Sequence, residues 1–285
     1  MRYRHADACA DTALLHDHAG GSARQRCPAV CHRGHVERLT MSSAPLTAEL
    51  LPAGLDAYLV RFALTPDPTA MGAARRFAAA LEQTPPEGVE EIAAALVSVL
   101  VRLDPAAERE VIRAHLEDLA QAVVKGPLDL PPPTRRWTIP ITFGGEAGPQ
   151  LAQVSAALNL TEDAAVDQVC AADLRVLTIG FAPGQPYIGL MPEAWNLPRM
   201  SELNPSVPAG ALVVAVRQFV LFGAESATGW QQIGQAAFRS FVPSRTPPMP
   251  LRGGDAIRFA RASADDIARL TTDNDPMGGA RLETL

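Results

Sequence analysis

Three consecutive prolines divide the chain into two parts. They occupy positions 131–133, within the segment GPLDLPPPTRR that covers residues 126–136. Proline fixes φ and lacks a backbone donor, so such a run excludes a helix and favours a stiff, extended spacer. The predicted divisions are an N-terminal domain over residues 41–126, a proline-rich linker over 127–136, a second domain over 137–265 and a C-terminal tail over 266–285.

The first 40 residues differ in composition from the rest of the chain. They hold three of its four cysteines and five of its six histidines, and they show no apolar periodicity. This composition predicts a disordered leader, or an upstream extension of the reading frame before Met41. The alternative is a zinc knuckle formed by Cys27, Cys31, His32 and His35, although their spacing matches no common ligand pattern.

Charge and residue usage exclude several classes of function. The 285-residue chain is 47% hydrophobic and has a formal net charge of −6, so it offers no basic field to nucleic acid or to an anionic membrane surface. It has neither a continuous apolar stretch of membrane-spanning length nor the pattern of a secretion signal, which predicts a cytoplasmic globular protein.

Residue usage after Met41 also limits the chemistry of the chain. This part has one cysteine, Cys170, and one histidine, His115, and it offers neither a metal cluster nor a Ser-His-Asp triad. The only lysine, Lys125, stands in neither a Gly-Lys-Ser/Thr phosphate loop nor a biotin attachment sequence. We therefore expect no metal, no biotin on this chain, and no ATP bound by a motif of its own.

Apolar periodicity predicts an α+β first domain. A strand is expected within residues 55–64, a helix over 69–83, two short strands within 89–103, and a helix over 105–123 that starts at Pro105.

The sequence of the second domain predicts a closed or nearly closed β-barrel with helices over one end. Two helical segments within residues 149–171 break near Asn159, with Thr161 as an N-cap. Short strands separated by Gly/Pro-rich turns account for the remainder. They are expected at residues 137–143, 174–181, 210–216, 219–223, 229–234 and 255–260.

The segment GFAPGQPYIG, residues 180–189, is a stiff turn after a predicted buried strand. Gly180 and Gly184 permit positive φ or a close approach of a ligand, whereas Pro183 and Pro186 restrict the backbone. Residue chemistry alone leaves two interpretations open, a rigid corner of the barrel and a ligand-binding loop.

This segment and several others resemble, in order and spacing, one known family. It contains the B subunit of 5-oxoprolinase, the KipI-type kinase inhibitor and the first subunit of allophanate hydrolase, which is also the first half of the carboxyltransferase region of urea carboxylase. The resemblance covers roughly residues 46–262. The family's run Gly-Phe-x-Pro-Gly-Phe-Pro-Tyr-Leu-Gly corresponds to Gly180, Phe181, Pro183, Gly184, Pro186, Tyr187 and Gly189. Two longer runs match at Pro140 to Leu151 and at Gly253 to Phe259. The shorter matches are the pair Pro198 and Arg199, the Val-Pro-Ala-Gly that contains Pro208 and Gly210, the single residue Gln218, and the pair Gly229 and Trp230.

The chain departs from the family pattern at several motif positions. Gln185 replaces an aromatic residue, Leu203 and Asn204 replace a second Pro-Arg pair, and Ala227 and Thr228 replace Pro-Gly before the tryptophan. Val169, Phe219 and Gln235 replace a histidine, a threonine and an arginine. These changes predict an altered substrate or a loss of catalysis.

The resemblance implies an N-terminal ferredoxin-like α+β domain followed by a cyclophilin-like β-barrel domain, and it gives five substrate-binding candidates. Arg199 would clamp a carboxylate, Gln218 would bond an amide, and Gly184 would let the loop backbone approach the ligand. Tyr187 either orients a carbonyl or anchors the loop, and Glu146 is either an acid/base or a charge near a helix N-terminus. Trp230 is expected in the core, and no catalytic residue is assigned.

The first functional hypothesis is a subunit of an ATP-dependent 5-oxoprolinase-type amidohydrolase that converts 5-oxoproline to glutamate. The resemblance implies a homologous carboxyltransferase-type partner, of the type of the 5-oxoprolinase C subunit or the second subunit of allophanate hydrolase. It also implies a LamB/YcsF-type subunit, and ATP bound through the complex. Two alternatives stay open: a carboxyltransferase subunit acting on urea or a similar amide with a separate biotin chain, and a non-catalytic KipI-like inhibitor of a sensor kinase.

Overall fold

The computed structural model describes residues 46–273 and 275–285. The predictions for residues 1–40, both the leader and the zinc knuckle, lie outside this part. Within it, no helix is long and apolar enough to cross a membrane.

The N-terminal domain is a four-stranded antiparallel sheet contacted by two helices. Its elements are β1 (Glu49–Ala53), β2 (Ala57–Arg61), α1 (Pro68–Gln83), β3 (Val89–Ala94), β4 (Ser98–Leu103) and α2 (Arg109–Lys125), and the strand order is β1-β2-β4-β3. Val99, Val101 and Leu103 are buried at alternate positions of β4, which confirms that residues 89–103 form two strands. Asp67 caps α1 by accepting a hydrogen bond from the backbone N–H of Ala70.

Two details of this domain differ from the predictions. A ferredoxin-like unit has the element order βαββαβ, whereas this domain has the order ββαββα. Its edge strand next to β2 is β1, the first strand of the domain. The exact ferredoxin-like prediction is therefore not confirmed. The second helix begins at Arg109, four residues after Pro105. Pro105 instead lies in a turn in which Asp104 accepts hydrogen bonds from the backbone N–H groups of Ala106 and Ala107.

The second domain is a closed seven-stranded β-barrel. Pairing runs β12-β9-β10-β7-β6-β13-β5, and β5 returns to β12 where Phe143 lies opposite Gly234, so the predicted barrel is confirmed. Its relation to cyclophilins stays a prediction. The elements up to β12 are β5 (Arg135–Phe143), α3 (Leu151–Ala157), α4 (Glu162–Ala171), β6 (Leu174–Ile179), β7 (Pro186–Gly189), a short 3-10 helix (Glu193–Trp195), β8 (Asn204–Val207), β9 (Ala211–Ala215), β10 (Gln218–Leu221), β11 (Ser226–Thr228) and β12 (Gln231–Gln235).

The chain ends in β13 (Ala256–Arg261), α5 (Ala264–Thr272) and β14 (Arg281–Thr284). Where the sequence predicts a tail over residues 266–285, β14 pairs antiparallel with β5, with Arg281 opposite Thr138. All four residues of β14 are exposed, so this strand has no buried face that an alternating pattern would reveal.

Alternate residues of the barrel strands supply two apolar clusters. The larger fills the interior and includes Ile139, Ile141, Val214, Phe219 and Phe259, all at most 1% exposed. A smaller cluster covers the opposite face of β9 and β10, and it includes Val213, Val220, Phe222 and Trp230, with Tyr187 packed against it. The candidate functional site lies on this second face.

Candidate functional site

Residues 180–185 form the loop of a hairpin between β6 and β7. The backbone N–H of Gly180 donates to the carbonyl of Gln185, and the N–H of Gln185 donates to the carbonyl of Ala182, at 3.0 and 3.1 Å. Gly184 has a φ of +71°, and a methyl group there would overlap the carbonyl oxygen of Ser240. The loop therefore requires glycine at position 184.

Phe181, and not Gly180, has the other positive φ of this loop. Its φ is +70° and its side chain is 79% exposed, whereas Gly180 lies outside the positive-φ region. A bulky residue in the left-handed region is uncommon, and such strain occurs most often at functional sites.

Two further segments meet beside the hairpin. The backbone N–H of Met200 donates to the carbonyl of Gly229 at 2.7 Å, which joins the stretch that follows Arg199 to the stretch that precedes Trp230. The backbone N–H of Trp230 in turn donates to the hydroxyl of Thr228 at 3.1 Å. These bonds bring motif pieces about 30 residues apart in sequence into contact.

Trp230 links the three segments through its ring. The ring centroids of Tyr187 and Trp230 are 5.9 Å apart with an interplanar angle of 74°, and the Cζ of Arg199 lies 5.6 Å from the Trp230 centroid. Edge-to-face and cation–π contacts of this kind favour one orientation of each partner. Trp230 is thus both part of an apolar cluster, as predicted, and a stacking surface for Arg199.

The three segments enclose an open cleft of about 280 Å³. This is just below the range of about 300 to 1,000 Å³ that is typical of small-molecule sites, so the cleft suits a small ligand. Val220 and Phe222 supply apolar lining, and Phe181 and Leu203 lie at the rim, where they are 79% and 70% exposed.

The polar lining of the cleft combines a cation with buried hydrogen-bonding groups. Arg199 is exposed, and within the part of the chain that the structure covers no carboxylate lies within 4 Å of it. Gln185 and Thr228 are only 2% and 7% exposed, yet both line the cleft. The arrangement suits a small ligand that carries an anionic group and an amide or similar polar group.

The structure brings together some of the predicted site residues and separates others. Tyr187 and Arg199 line the cleft together with Phe181, Gly229 and Trp230, while Gly184 shapes the loop beside it. Gln218 is buried at the start of β10, on the same face as Val220 by strand alternation, but it does not line the cleft. Glu146 lies exposed in the turn after β5, outside both the cleft and the first turn of α3.

The remaining motif residues shape the backbone around this site. Pro183 is exposed in the hairpin loop and Pro186 is buried at the start of β7. Pro208 and Gly210 form the turn before β9, where Gly210 has a φ of +82° and a methyl group on it would overlap the carbonyl oxygen of Ala236. These four residues shape the backbone, and none of them lines the cleft.

Four lining residues stand out in the sequence only as departures from the family pattern. They are Gln185, Leu203, Ala227 and Thr228. Sequence reasoning could have found them from their positions, because each stands close in sequence to a motif residue that lines the cleft. The other departures have different surroundings: Val169 and Phe219 lie in the barrel core, and the amide of Gln235 donates to the carbonyl of Ala209 at 2.6 Å.

The cleft lacks the groups that would make it a complete catalytic centre. None of its lining residues is a serine, cysteine, histidine, aspartate or glutamate. Across residues 46–273 and 275–285, no group of three such metal-ligating side chains could hold a metal ion. The arrangement can therefore bind and orient a small polar molecule. Among the lining residues, only the hydroxyls of Tyr187 and Thr228 could act as an acid or a nucleophile, and no base lines the cleft to activate them.

Fold and site together define a barrel protein with a small-ligand cleft on the outer face of its sheet. Residues 48–251 match the family described as the carboxyltransferase domain, subdomain C and D, and the chain belongs to this family. It is similar to the 5-oxoprolinase B subunit of Bacillus subtilis (strain 168), with 30% identity over 221 residues that cover 75% of this chain and 92% of the relative. It is also 38% identical over 130 residues to the 5-oxoprolinase B subunit of Escherichia coli O157:H7, which covers 46% of this chain and 60% of that protein.

Solved structures agree with the fold. The chain superposes on TTHA0988 with a TM-score of 0.60 and 29% identity, over 73% of this chain and 40% of that protein. It superposes on the Kluyveromyces lactis urea carboxylase with a TM-score of 0.68 over 84% of this chain and 24% of that protein. The identity of 14% in the second case shows the likeness of fold alone.

Proposed function

We propose that this chain is the substrate-binding subunit of a 5-oxoprolinase-type amidohydrolase, which converts 5-oxoproline to glutamate with ATP. The observation that carries the proposal is the convergence of Tyr187, Arg199 and Trp230, from three separate motif segments, on one small cleft.

The chemistry of 5-oxoproline matches the lining of this cleft. Its carboxylate would pair with the guanidinium of Arg199, which has a fork of donors suited to two carboxylate oxygens. Its lactam presents one N–H and one carbonyl, and the side-chain amide of Gln185 has a donor and an acceptor to pair with them. The methylene groups of the ring would then lie against Trp230 and Val220.

The proposal requires partner subunits for the chemical step. No carboxylate, histidine, serine or cysteine lines the cleft, and no base lies in the lining to activate the hydroxyls of Tyr187 and Thr228, so another chain would supply the general base and the nucleophile. Two large apolar side chains, Phe181 and Leu203, are exposed at its rim, and a homologous carboxyltransferase-type subunit would cover them. ATP would be bound by the complex, with a LamB/YcsF-type subunit as the further partner.

Reconstitution tests this function. The chain is co-expressed with the homologous subunit and the LamB/YcsF-type subunit from the same source, and glutamate formation from 5-oxoproline is measured with and without ATP. We expect co-purification with the homologous subunit, through an interface that buries at least about 1,200 Å². We also expect ATP-dependent turnover that disappears when this chain is omitted.

Two results would contradict the proposal. The first is no turnover by the complete mixture when the same partners are active with the B subunit of a relative, which would favour the KipI-like binding protein. The second is biotin-dependent carboxylation of urea without 5-oxoproline hydrolysis, which would favour the carboxyltransferase subunit.

A further inference from the structure

Three arginines surround one carboxylate where the N-terminal domain meets the barrel. Arg75 comes from α1, Arg135 from β5 and Arg175 from β6, and Asp255 lies in the turn before β13. Asp255 is 4% exposed and accepts hydrogen bonds from Nη2 of Arg135 at 3.1 Å and from the backbone N–H of Arg252 at 2.9 Å. Its carboxylate is therefore paired with only one of the three guanidinium groups.

The other two guanidiniums have no such partner. In the described ranges, no carboxylate oxygen lies within 4 Å of Arg75 or Arg175. Arg175 donates to the carbonyls of Gly254 and Pro131, at 2.9 and 3.0 Å. The Nη2 of Arg75 is buried and has no hydrogen-bond partner among the described groups.

Both guanidiniums face one point above the turn at Gly253 and Gly254. A methyl group on Gly253 would overlap the guanidinium of Arg75, so this turn lies directly against it. A methyl group on Gly254 would lie 3.6 Å from Nη2 of Arg75 and 3.9 Å from Nη2 of Arg175. The adjoining cavity has a volume of about 10 Å³ and is otherwise lined by apolar residues that include Leu96, Leu130 and Leu177.

Electrostatics at this point favour a negative charge. Burial lowers the pKa of the Arg75 guanidinium, while the charges of Glu82 and Asp255 raise it. Burial also lowers the pKa of Arg175, and the positive charge of Arg75 lowers it further, against the attraction of Asp255. Two partly buried like charges beside each other cost free energy that a nearby anion would offset.

We propose that a single monatomic anion of the halide class, such as chloride, binds between the guanidiniums of Arg75 and Arg175 and holds α1 against the barrel. The cavity is small, at about 10 Å³, which favours a monatomic ion over a phosphate or an organic anion. Charge distinguishes the ion from a water, which would satisfy one N–H but would not offset the repulsion between the two guanidiniums.

Thermal unfolding of the full chain at constant ionic strength tests this site. Chloride replaces gluconate from zero to about 0.2 M, and we expect the Tm of the wild type to rise by roughly 2 to 4 °C because the ion binds only the folded state. Arg75→Gln should lose this rise. The control is Arg76→Gln, because Arg76 is the next residue of the same helix and bonds the carbonyl of Asp129 outside the cavity, and it should keep the rise.

A second measurement does not depend on the folding of a variant. Crystals of the wild type soaked in bromide should show an anomalous peak between the guanidiniums of Arg75 and Arg175. A water at that position without anomalous signal would overturn the proposal, as would a Tm that does not respond to chloride or that rises equally in Arg75→Gln.

Discussion

Replacing Arg199 by alanine is expected to lower kcat/KM for 5-oxoproline in the reconstituted complex by roughly 30- to 150-fold. The expectation corresponds to about 2 to 3 kcal/mol, the usual contribution of a charge-assisted hydrogen bond to a carboxylate. Stability should change little, because Arg199 is exposed and its cation–π contact with Trp230 contributes only about 0.5 to 1 kcal/mol at such a site. Steady-state kinetics and thermal unfolding measure the two effects separately.

Two further variants make the Arg199 result specific. Arg258→Ala removes another motif arginine, exposed on β13 and outside the cleft, and it should leave kcat/KM within about twofold of the wild type. Arg199→Lys keeps the charge but loses the planar fork, so its activity should fall between those of the wild type and the alanine variant. Equal kcat/KM in Arg199→Ala and the wild type would remove Arg199 from the binding site.

Gly184→Ala is expected to destabilise the protein by about 3 kcal/mol, which lowers Tm by roughly 6 to 12 °C for a chain of this size. Alanine at a φ of +71° is strained, and its methyl group would overlap the carbonyl oxygen of Ser240, a backbone atom that cannot rotate away. The free energy of unfolding, measured with urea, is the direct readout.

Gly180→Ala is the matched control in the same loop. Gly180 is outside the positive-φ region, and a methyl group on it would meet no heavy atom within 4 Å. We expect a change of at most about 0.5 kcal/mol in the free energy of unfolding. Similar destabilisation by both substitutions would mean that the loop is sensitive to side chains in general, and that the close approach at Gly184 is not the cause.

The sequence predicts the fold wherever one face of an element is buried. Val97, Val99 and Val101 indicate a strand within residues 89–103, and the structure places β4 there. The exposed strand β14 has no such pattern. The sequence analysis assigns no strand before residue 55, because no residue of β1 is fully buried. This strand, which pairs with β2 in a hairpin, is the one that departs from the ferredoxin-like order.

The candidate site was predictable only in part, because tertiary contacts decide which residues share the cleft. Tyr187 and Arg199 lie in recognisable motif pieces, but whether they share a cleft is decided by tertiary contacts such as the bond from Met200 to Gly229. Gln185 lies in a hairpin loop and Thr228 ends the short strand β11. Exposure is the usual expectation for such polar side chains, and only the structure shows them buried against the cleft. Gln218 and Glu146 have suitable chemistry, but their strand and turn place them outside it.

Fluorine NMR of the chain labelled with fluorotryptophan tests most directly whether this cleft is the substrate site. The chain has three tryptophans, of which Trp137 and Trp195 are buried in the barrel core and Trp230 lines the cleft. Saturating 5-oxoproline, added to the labelled chain in the complex, should shift the Trp230 signal, assigned with Trp230→Phe, and leave the other two unchanged. A Trp230 signal that does not move while the same complex turns over 5-oxoproline would place the substrate elsewhere.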